Sequence, residues 1–151
     1  MLERLNESKT PAEMREAIFE LENAIIASGM NVAHELEVVH HFAPGVYMRE
    51  LRIPAGMILT GAIHKTEHLN ILSQGEIVVW TEEGMRRLTA STVIKSKPGM
   101  KRTGATVTDS IWITVHHNPE NIQDTDELWD MLVTNDKAML DSLVKEKIEG
   151  A

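Results

Sequence analysis

Two histidines, His64 and His68, are the side chains of this sequence whose type and spacing are best suited to chemistry. They lie between Gly61 and Gly75 in a run rich in isoleucine, leucine and threonine, which is the composition of a β-strand. Side chains of one parity share a face of a strand, so two imidazoles are expected to converge on one pocket. The parity that shares this face consists of Ala62, His64, Thr66 and His68.

Two converging imidazoles predict a site for a divalent transition metal such as zinc, iron, nickel or manganese, unless the pair only forms hydrogen bonds in a polar interior. A catalytic metal usually takes three protein ligands, so a third must come from another strand. We predict His116, because alternation over residues 110–116 places it on one face with Trp112 and Thr114. The alternate residues, Ile111, Ile113 and Val115, are apolar and would pack in the barrel wall or the core. The alternatives for the third ligand are His117, His40 and His41.

Arginine offers a second chemistry, since a guanidinium presents several donors in a fixed fork that fits a carboxylate or a phosphate. Arg49 and Arg102 are the candidates, and strand parity places Tyr47 beside Arg49. Trp112 would add a flat apolar face. Together these residues predict an anionic ligand that carries a ring, such as a nucleotide, a sugar nucleotide or an aromatic acid. The alternative is structural: Arg49 pairs with a surface carboxylate, Arg102 is solvated and Trp112 packs in a core.

The segment from His64 to His68 also matches H-x2-E-H, a zinc-protease pattern in which the residues lie along a helix. The strand-like composition and the flanking glycines argue against a helix here. On a strand, Glu67 would point away from both histidines. We therefore predict that the protein is not a metallopeptidase.

The composition is that of one globular domain, with 151 residues of which 42% are hydrophobic and 25% charged. The formal net charge of -8 disfavours a general attraction to nucleic acid or to an anionic membrane surface. No apolar run is long enough to cross a bilayer, and the first residues lack the apolar segment of a signal peptide. The chain has no cysteine, which suits a reducing compartment. These features predict a cytoplasmic protein whose partners are neither nucleic acid polymers nor membranes.

The elements that must position these residues can be predicted from the pattern. Thr10, Pro11 and Glu13 form a helix start with a capping box, and apolar residues at helical spacing extend the helix over residues 11–28. Seven of the nine glycines and three of the five prolines lie within residues 44–104, which predicts short strands joined by tight turns. A helical segment is expected over residues 124–149. The predicted strands are 46–53, 57–64 or beyond, 76–80, 85–88, 92–96 and 110–116, with a turn near Gly104.

The central pattern resembles the first signature of the cupin superfamily, G-x5-H-x-H-x3-E-x6-G. With Gly75 as its closing glycine, His68 takes the glutamate position, His64 the second histidine position and Ala62 the first. Two of these positions therefore hold a credible metal ligand.

The second cupin signature, G-x5-P-x-G-x2-H-x3-N, is matched in part by the turn Pro98-Gly99, with Arg102 near the place of the last histidine. Whole phrases of the sequence also look like those of uncharacterised cupin-like proteins encoded by bacteriophages, and this likeness implies a phage origin. The phrases are His40 to Tyr47, Ile63 to His68 and Ser96 to Arg102.

For the fold, the resemblance implies a mostly β protein of one domain, residues 1–151. A double-stranded β-helix of the cupin or jelly-roll type is expected over residues 43–117, with an amino-terminal helix and a carboxy-terminal helical segment. Edge strands and flanking helices are natural dimerisation elements, so we expect a homodimer.

For function, the resemblance implies a small-molecule-binding protein, and an enzyme of the dioxygenase or isomerase kind if His64, His68 and His116 hold a metal. Cupin-like epimerases without metal use a histidine base and a tyrosine acid, so His64 or His68 with Tyr47 is the corresponding expectation. The alternative is a non-catalytic phage accessory protein that sequesters a host metabolite or nucleotide, or binds a host protein. A virion or scaffold component is a third interpretation.

Overall fold

The computed structural model describes residues 2–8, 10–29 and 35–134. Helices α1 (Leu2–Glu7) and α2 (Pro11–Ala27) precede the strands, and α3 (Thr125–Leu132) follows most of them. No helix in these ranges is long and apolar enough to cross a membrane. The strands are β1 (Glu37–Ala43), β2 (Gly45–Ile53), β3 (Ile58–Thr60), β4 (Ile63–His64), β5 (His68–Gln74), β6 (Glu76–Thr81), β7 (Gly84–Thr89), β8 (Thr92–Ser96), β9 (Arg102–Thr106), β10 (Ser110–Asn118) and β11 (Val133–Thr134).

Helix α2 begins with the predicted capping box. The Glu13 amide donates to Thr10 Oγ1 and the Thr10 amide donates to the Glu13 carboxylate, both at 3.1 Å. One face of the helix packs against Trp80 of β6 and Leu5 of α1, and so fixes α2 on the barrel wall. The buried residues of that face are Met14, Ala17, Ile18 and Leu21.

Replacing Thr10 by Ala is expected to lower the free energy of unfolding by about 1 kcal/mol, because the Glu13 amide loses its acceptor at the helix start. Thr10→Ser keeps a hydroxyl and should retain most of the stability. Urea unfolding of the two variants and the wild type measures the difference, and equal losses in both variants would contradict the capping role.

All of the described strands except β4 and β11, which pair with each other, form two facing antiparallel sheets with the order expected of a jelly roll. One sheet has the order β1-β2-β10-β5-β8 and the other β3-β9-β6-β7. Apart from the hairpins β1-β2 and β6-β7, the chain crosses between the two sheets, and the first barrel strand, β2, lies beside the last, β10. The predicted fold class is confirmed: a mostly β double-stranded β-helix with short helices before and after it.

The run between Gly61 and Gly75 is not one strand, and this part of the prediction was wrong. A bend after His64 divides it into β4 and β5, and Thr66 is exposed rather than aligned with the histidines. The physical reason is a change of partner: β4 pairs with β11, whereas β5 pairs with β10 and β8. For the same reason the predicted strand 57–64 is two short strands.

The turn predicted near Gly104 is also wrong, because this glycine lies in the middle of β9. A Cβ at this position would lie 3.5 Å from Ile77 Cγ2 of the neighbouring strand. That distance is an ordinary van der Waals contact, so the strand does not require a glycine here. In β10, Trp112, Thr114 and His116 are buried, while the alternate residues Ile111, Ile113 and Val115 are only partly buried.

Helix α3 begins where the predicted helical segment does, and Asp124 is its cap: one Asp124 carboxylate oxygen accepts from the amides of Asp126 and Glu127 at 3.0 Å. Leu128 and Leu132 then pack with Tyr47 of β2. The remainder of the predicted helical segment, residues 135–149, lies outside the described residues.

Candidate ligand pocket

A cavity of about 460 Å³ lies between the two sheets, within the range of small-molecule sites. Helix α2 contributes Ile25 and Ile26 to its wall, and α3 contributes Trp129. Of the residues predicted to form a site, five line it. They are His64, His116, Arg49, Arg102 and Trp112.

The three histidines predicted as metal ligands lie together. The ring centroids of His64 and His68 are 4.0 Å apart, and His116 lies 5.1 Å from His64 and 5.5 Å from His68. His68 and His116 are buried and His64 is partly buried. The rings meet because β4, β5 and β10 bring them from three strands, and the bend between β4 and β5 turns His64 toward His68.

Burial keeps these imidazoles neutral at neutral pH. Burial, followed by the proximity of His68 and His116, lowers the pKa of His64 to about 2. Burial and then His68 lower the pKa of His116 to about 4, and burial lowers the pKa of His68 as well. Neutral rings retain lone pairs that can accept a hydrogen bond or bind a metal.

Two nitrogens of this cluster, His68 Nε2 and His116 Nδ1, are buried without a hydrogen-bond partner in the described part of the chain. His68 Nδ1 lies 3.1 Å from the Thr66 carbonyl oxygen, to which it donates if the proton is on Nδ1. That tautomer leaves the Nε2 lone pair free, as in histidines that bind metals. The donors therefore suit a transition metal.

The positions of the rings do not complete a metal site. Within residues 2–8, 10–29 and 35–134, no three His, Asp or Glu side chains are arranged to hold an ion. The chemistry of the donors fits a metal, whereas their arrangement in the described part of the chain does not form a three-ligand site.

Arg49 and Arg102 reach the cavity from opposite sheets. The Arg49 Cζ lies 5.5 Å from the centre of the Trp129 ring, and the Arg102 Cζ lies 4.9 Å from that of Trp112. Burial lowers the pKa of Arg49, and it lowers that of Arg102 to about 10. Each cation is thus partly desolvated and rests on an indole face, an arrangement that orients a guanidinium.

Arg102 and Trp112 are held by two buried residues that the sequence prediction did not include, Asn70 and Ser96. Arg102 Nη1 donates to Ser96 Oγ at 2.9 Å, and Asn70 Nδ2 donates to the same oxygen at 2.8 Å. Asn70 Oδ1 accepts from Trp112 Nε1 at 3.2 Å and from Thr114 Oγ1 at 3.3 Å. The sequence could have indicated Asn70, because it has the same strand parity as His68 and so lies on the same face of the strand.

Tyr47, the predicted acid, does not line the cavity. Its hydroxyl lies 2.7 Å from His40 Nδ1, and its ring stacks on His116 with centroids 5.6 Å apart. His41 and His117, two of the alternatives for the third metal ligand, are exposed. The structure therefore brings His116, rather than these residues, to His64 and His68.

A buried ion pair closes the wall of the cavity beside α2. Lys101 Nζ lies 2.7 Å from Glu22 Oε2 and donates to the Gly61 carbonyl at 2.9 Å, and the Lys101 side chain is only 2% exposed. Thr60 Oγ1 donates to the other Glu22 oxygen at 3.1 Å. Both oxygens of this carboxylate, which lines the cavity, are therefore engaged by the protein.

The strand that carries His64 is fixed by the end of the described chain. His64 pairs with Val133 and Ile63 with Thr134, and the Lys65 amide donates to the Leu132 carbonyl at 2.8 Å. Lys65 Nζ also donates to the Asp130 carbonyl at 2.7 Å. Helix α3 and β11 thus hold one side of the pocket in place.

No protein-family profile and no curated protein sequence matches this chain. Solved structures do match it. The plu4264 protein from Photorhabdus luminescens has a TM-score of 0.50 at 11% identity, over 63% of this chain and 85% of that one. At this identity the likeness is one of fold.

Two further solved structures are similar at a lower level. KdgF from Halomonas sp. has a TM-score of 0.48 at 15% identity, over 60% of this chain and 81% of that one. A cupin-2 domain containing protein from Shewanella frigidimarina has a TM-score of 0.45 at 8% identity, over 55% of this chain and 79% of that one. Proteins described as cupins are thus among its structural neighbours.

Proposed function

We propose that the protein binds a small molecule in the cavity between its sheets, next to His64 and His116. The observation that carries the proposal is the cavity of about 460 Å³ itself, which is lined by His64 and His116 and by the partly buried side chains of Arg49 and Arg102. An apolar cavity of this size with a few convergent polar groups is the usual form of a small-molecule site.

The test is a fragment titration of the full chain followed by backbone NMR. We expect shifts at the cavity-lining residues, and loss of binding in Leu59→Trp, whose larger ring would fill the cavity. Val93→Trp is the matched control, because Val93 is 64% exposed on the outside of the barrel. Equal binding in the wild type and in Leu59→Trp would contradict the proposal.

A second candidate function, a metal-dependent enzyme, is favoured by the two unpartnered nitrogens of the histidine cluster, His68 Nε2 and His116 Nδ1. His64, His68 and His116 would hold a divalent ion, and the Thr66 carbonyl would fix the tautomer of His68. A metal bound there would supply Lewis acid or redox chemistry. Arg49 and Arg102 would bind the substrate and orient it.

Purified protein dialysed against zinc, iron, nickel or manganese is expected to retain about one ion per chain, measured by elemental mass spectrometry. His64→Ala/His68→Ala should retain none. The matched control is His41→Ala/His117→Ala, which removes two exposed imidazoles and should bind metal as the wild type does. Metal-free wild-type protein, or metal retained in the first double variant, would exclude this candidate.

Several finer expectations stay predictions. These are the epimerase route through Tyr47, the role as a phage accessory protein that sequesters a host metabolite or nucleotide, the homodimer and the cytoplasmic location. The accessory role would use the same cavity without catalysis, so the fragment titration supports it as much as an enzyme. Turnover of a bound fragment would separate the two.

A further inference from the structure

We infer that the ligand is an organic anion with an apolar body, whose carboxylate or phosphate head lies between Arg49 and Arg102. This inference rests on the proposed function, since it names the class of molecule that the cavity would take. Three observations support it: the unpaired charge of the two arginines, the network that fixes Arg102, and the gradient of polarity along the cavity.

The first observation is charge. The ion-paired arginines of the described chain are Arg4, Arg15, Arg52 and Arg87. Arg49 and Arg102 have no carboxylate partner within residues 2–8, 10–29 and 35–134, although both are partly buried. Charges withdrawn from water are normally paired, so two unpaired cations on one cavity favour an anion between them.

Neighbouring groups do not supply the missing charge. The imidazoles of His64 and His116, which line the same cavity, are neutral or cationic in either protonation state and so supply no negative charge. Glu22, the carboxylate of the cavity wall, is bound to Lys101 and to the Thr60 hydroxyl. The positive charge at this end of the cavity is therefore uncompensated, in a chain whose formal net charge is -8.

The second observation is that Arg102 is fixed before any ligand binds. Its Nη1 is held by Ser96 Oγ, and its guanidinium lies over Trp112, which is itself held by Asn70. Ser96 and Asn70 are also bonded to each other. A guanidinium fixed in this way loses little entropy when it binds an anion, which is the arrangement of a preformed site.

The third observation is the gradient along the strands. Inward-facing positions of β2 run from Arg49 to Leu51 and Ile53, at a spacing of about 7 Å for every second residue. On the opposite sheet, Arg102 lies across from Thr81 of β6, and Val79 and Ile77 follow. Both sheets place a cation at one end of the cavity and aliphatic side chains beyond it. A ligand that satisfies both ends has a charged head and an apolar body.

The experiment titrates the full chain with benzoate, phenyl phosphate and neutral benzamide at constant ionic strength, followed by backbone NMR. We expect at least one of the two anions to bind at least about tenfold more tightly than benzamide, the effect of one charge-assisted contact. The stronger of the two identifies the head as a carboxylate or a phosphate. Shifts should centre on residues that line the cavity.

Variants then locate the charge preference. Arg49→Gln and Arg102→Gln should each remove most of it. Arg52→Gln is the matched control, since Arg52 lies on the same strand as Arg49 but is exposed and paired with Glu37 and Glu50. If Arg102→Gln does not fold, Arg49→Gln tests the inference, with Arg102→Lys as its companion. Arg102→Lys keeps the positive charge and should keep the preference for the anions, whereas Arg49→Gln should lose most of it.

The outcomes separate this inference from the proposed function. Benzamide binding in the cavity as tightly as the anions, or a charge preference that survives in Arg49→Gln and Arg102→Gln, would overturn the inference and leave the proposed function standing. Binding of none of the three probes at the cavity would overturn both.

Discussion

Replacing Glu22 by Gln is expected to lower the free energy of unfolding by about 3 kcal/mol, the loss typical of a buried ion pair that keeps one partner. Lys101, 2% exposed, would retain its ammonium group beside a neutral amide. Burial already lowers the pKa of Lys101, and Glu22 acts in the opposite direction by favouring the charged form. Urea unfolding at neutral pH measures the loss.

Glu20→Gln is the matched control for this prediction. Glu20 lies on the same helix and pairs with Arg4, but both side chains are about half exposed, so a change below about 0.5 kcal/mol is expected. The double variant Glu22→Gln/Lys101→Met should recover most of the loss, because no buried charge then remains. A loss below about 1 kcal/mol in Glu22→Gln would show that Lys101 finds water or another partner.

The free energy of unfolding is expected to fall by at least about 2 kcal/mol per pH unit as the pH decreases from 6 to 5, from His64 and His116 alone. Burial also lowers the pKa of His68, which adds to the fall. In the unfolded chain His64 and His116 take up protons near pH 6.5, whereas in the folded chain their pKa values are about 2 and about 4. The unfolded state therefore binds more protons in this window. The stability that these histidines contribute is present above pH 6.5 and is lost as the pH falls.

Urea unfolding at several pH values, with a chelator present, measures this slope. His116→Gln should make the slope shallower by about 1 kcal/mol per pH unit, since one histidine with a lowered pKa is removed. His117→Gln alters the exposed neighbour on the same strand and should leave the slope unchanged. Identical slopes in the wild type and His116→Gln would refute the assignment.

Features that depend on neighbouring residues could be predicted from the sequence. The capping box needs only Thr10 and Glu13, and strand alternation alone placed Trp112, Thr114 and His116 on one face. The glycines and prolines of the central segment indicate a barrel of short strands. Side chains on the inward faces of such strands share one interior, so His116 could be predicted to lie near His64 and His68. These inferences need no knowledge of distant pairing.

Features that depend on distant partners could not be predicted. The bend that divides the histidine run exists because β4 pairs with β11, about seventy residues later in the chain. Lys101 is buried because Glu22 of α2 reaches it, and nothing near either residue in the sequence indicates this contact. Gly104 favours a turn in the local pattern, but its place in β9 is set by pairing with Leu59 of β3 and Val79 of β6, both distant in the sequence.

The pairing of β4 with β11 also sets the order in which the protein can be completed during translation. The barrel strands β2 to β10 end at Asn118, so they can leave the ribosome and begin to close before α3 and β11 have emerged from it. His64 acquires its strand partner only when Val133 has emerged. A nascent chain can therefore hold a nearly complete barrel while the His64 side of its pocket is still unfinished.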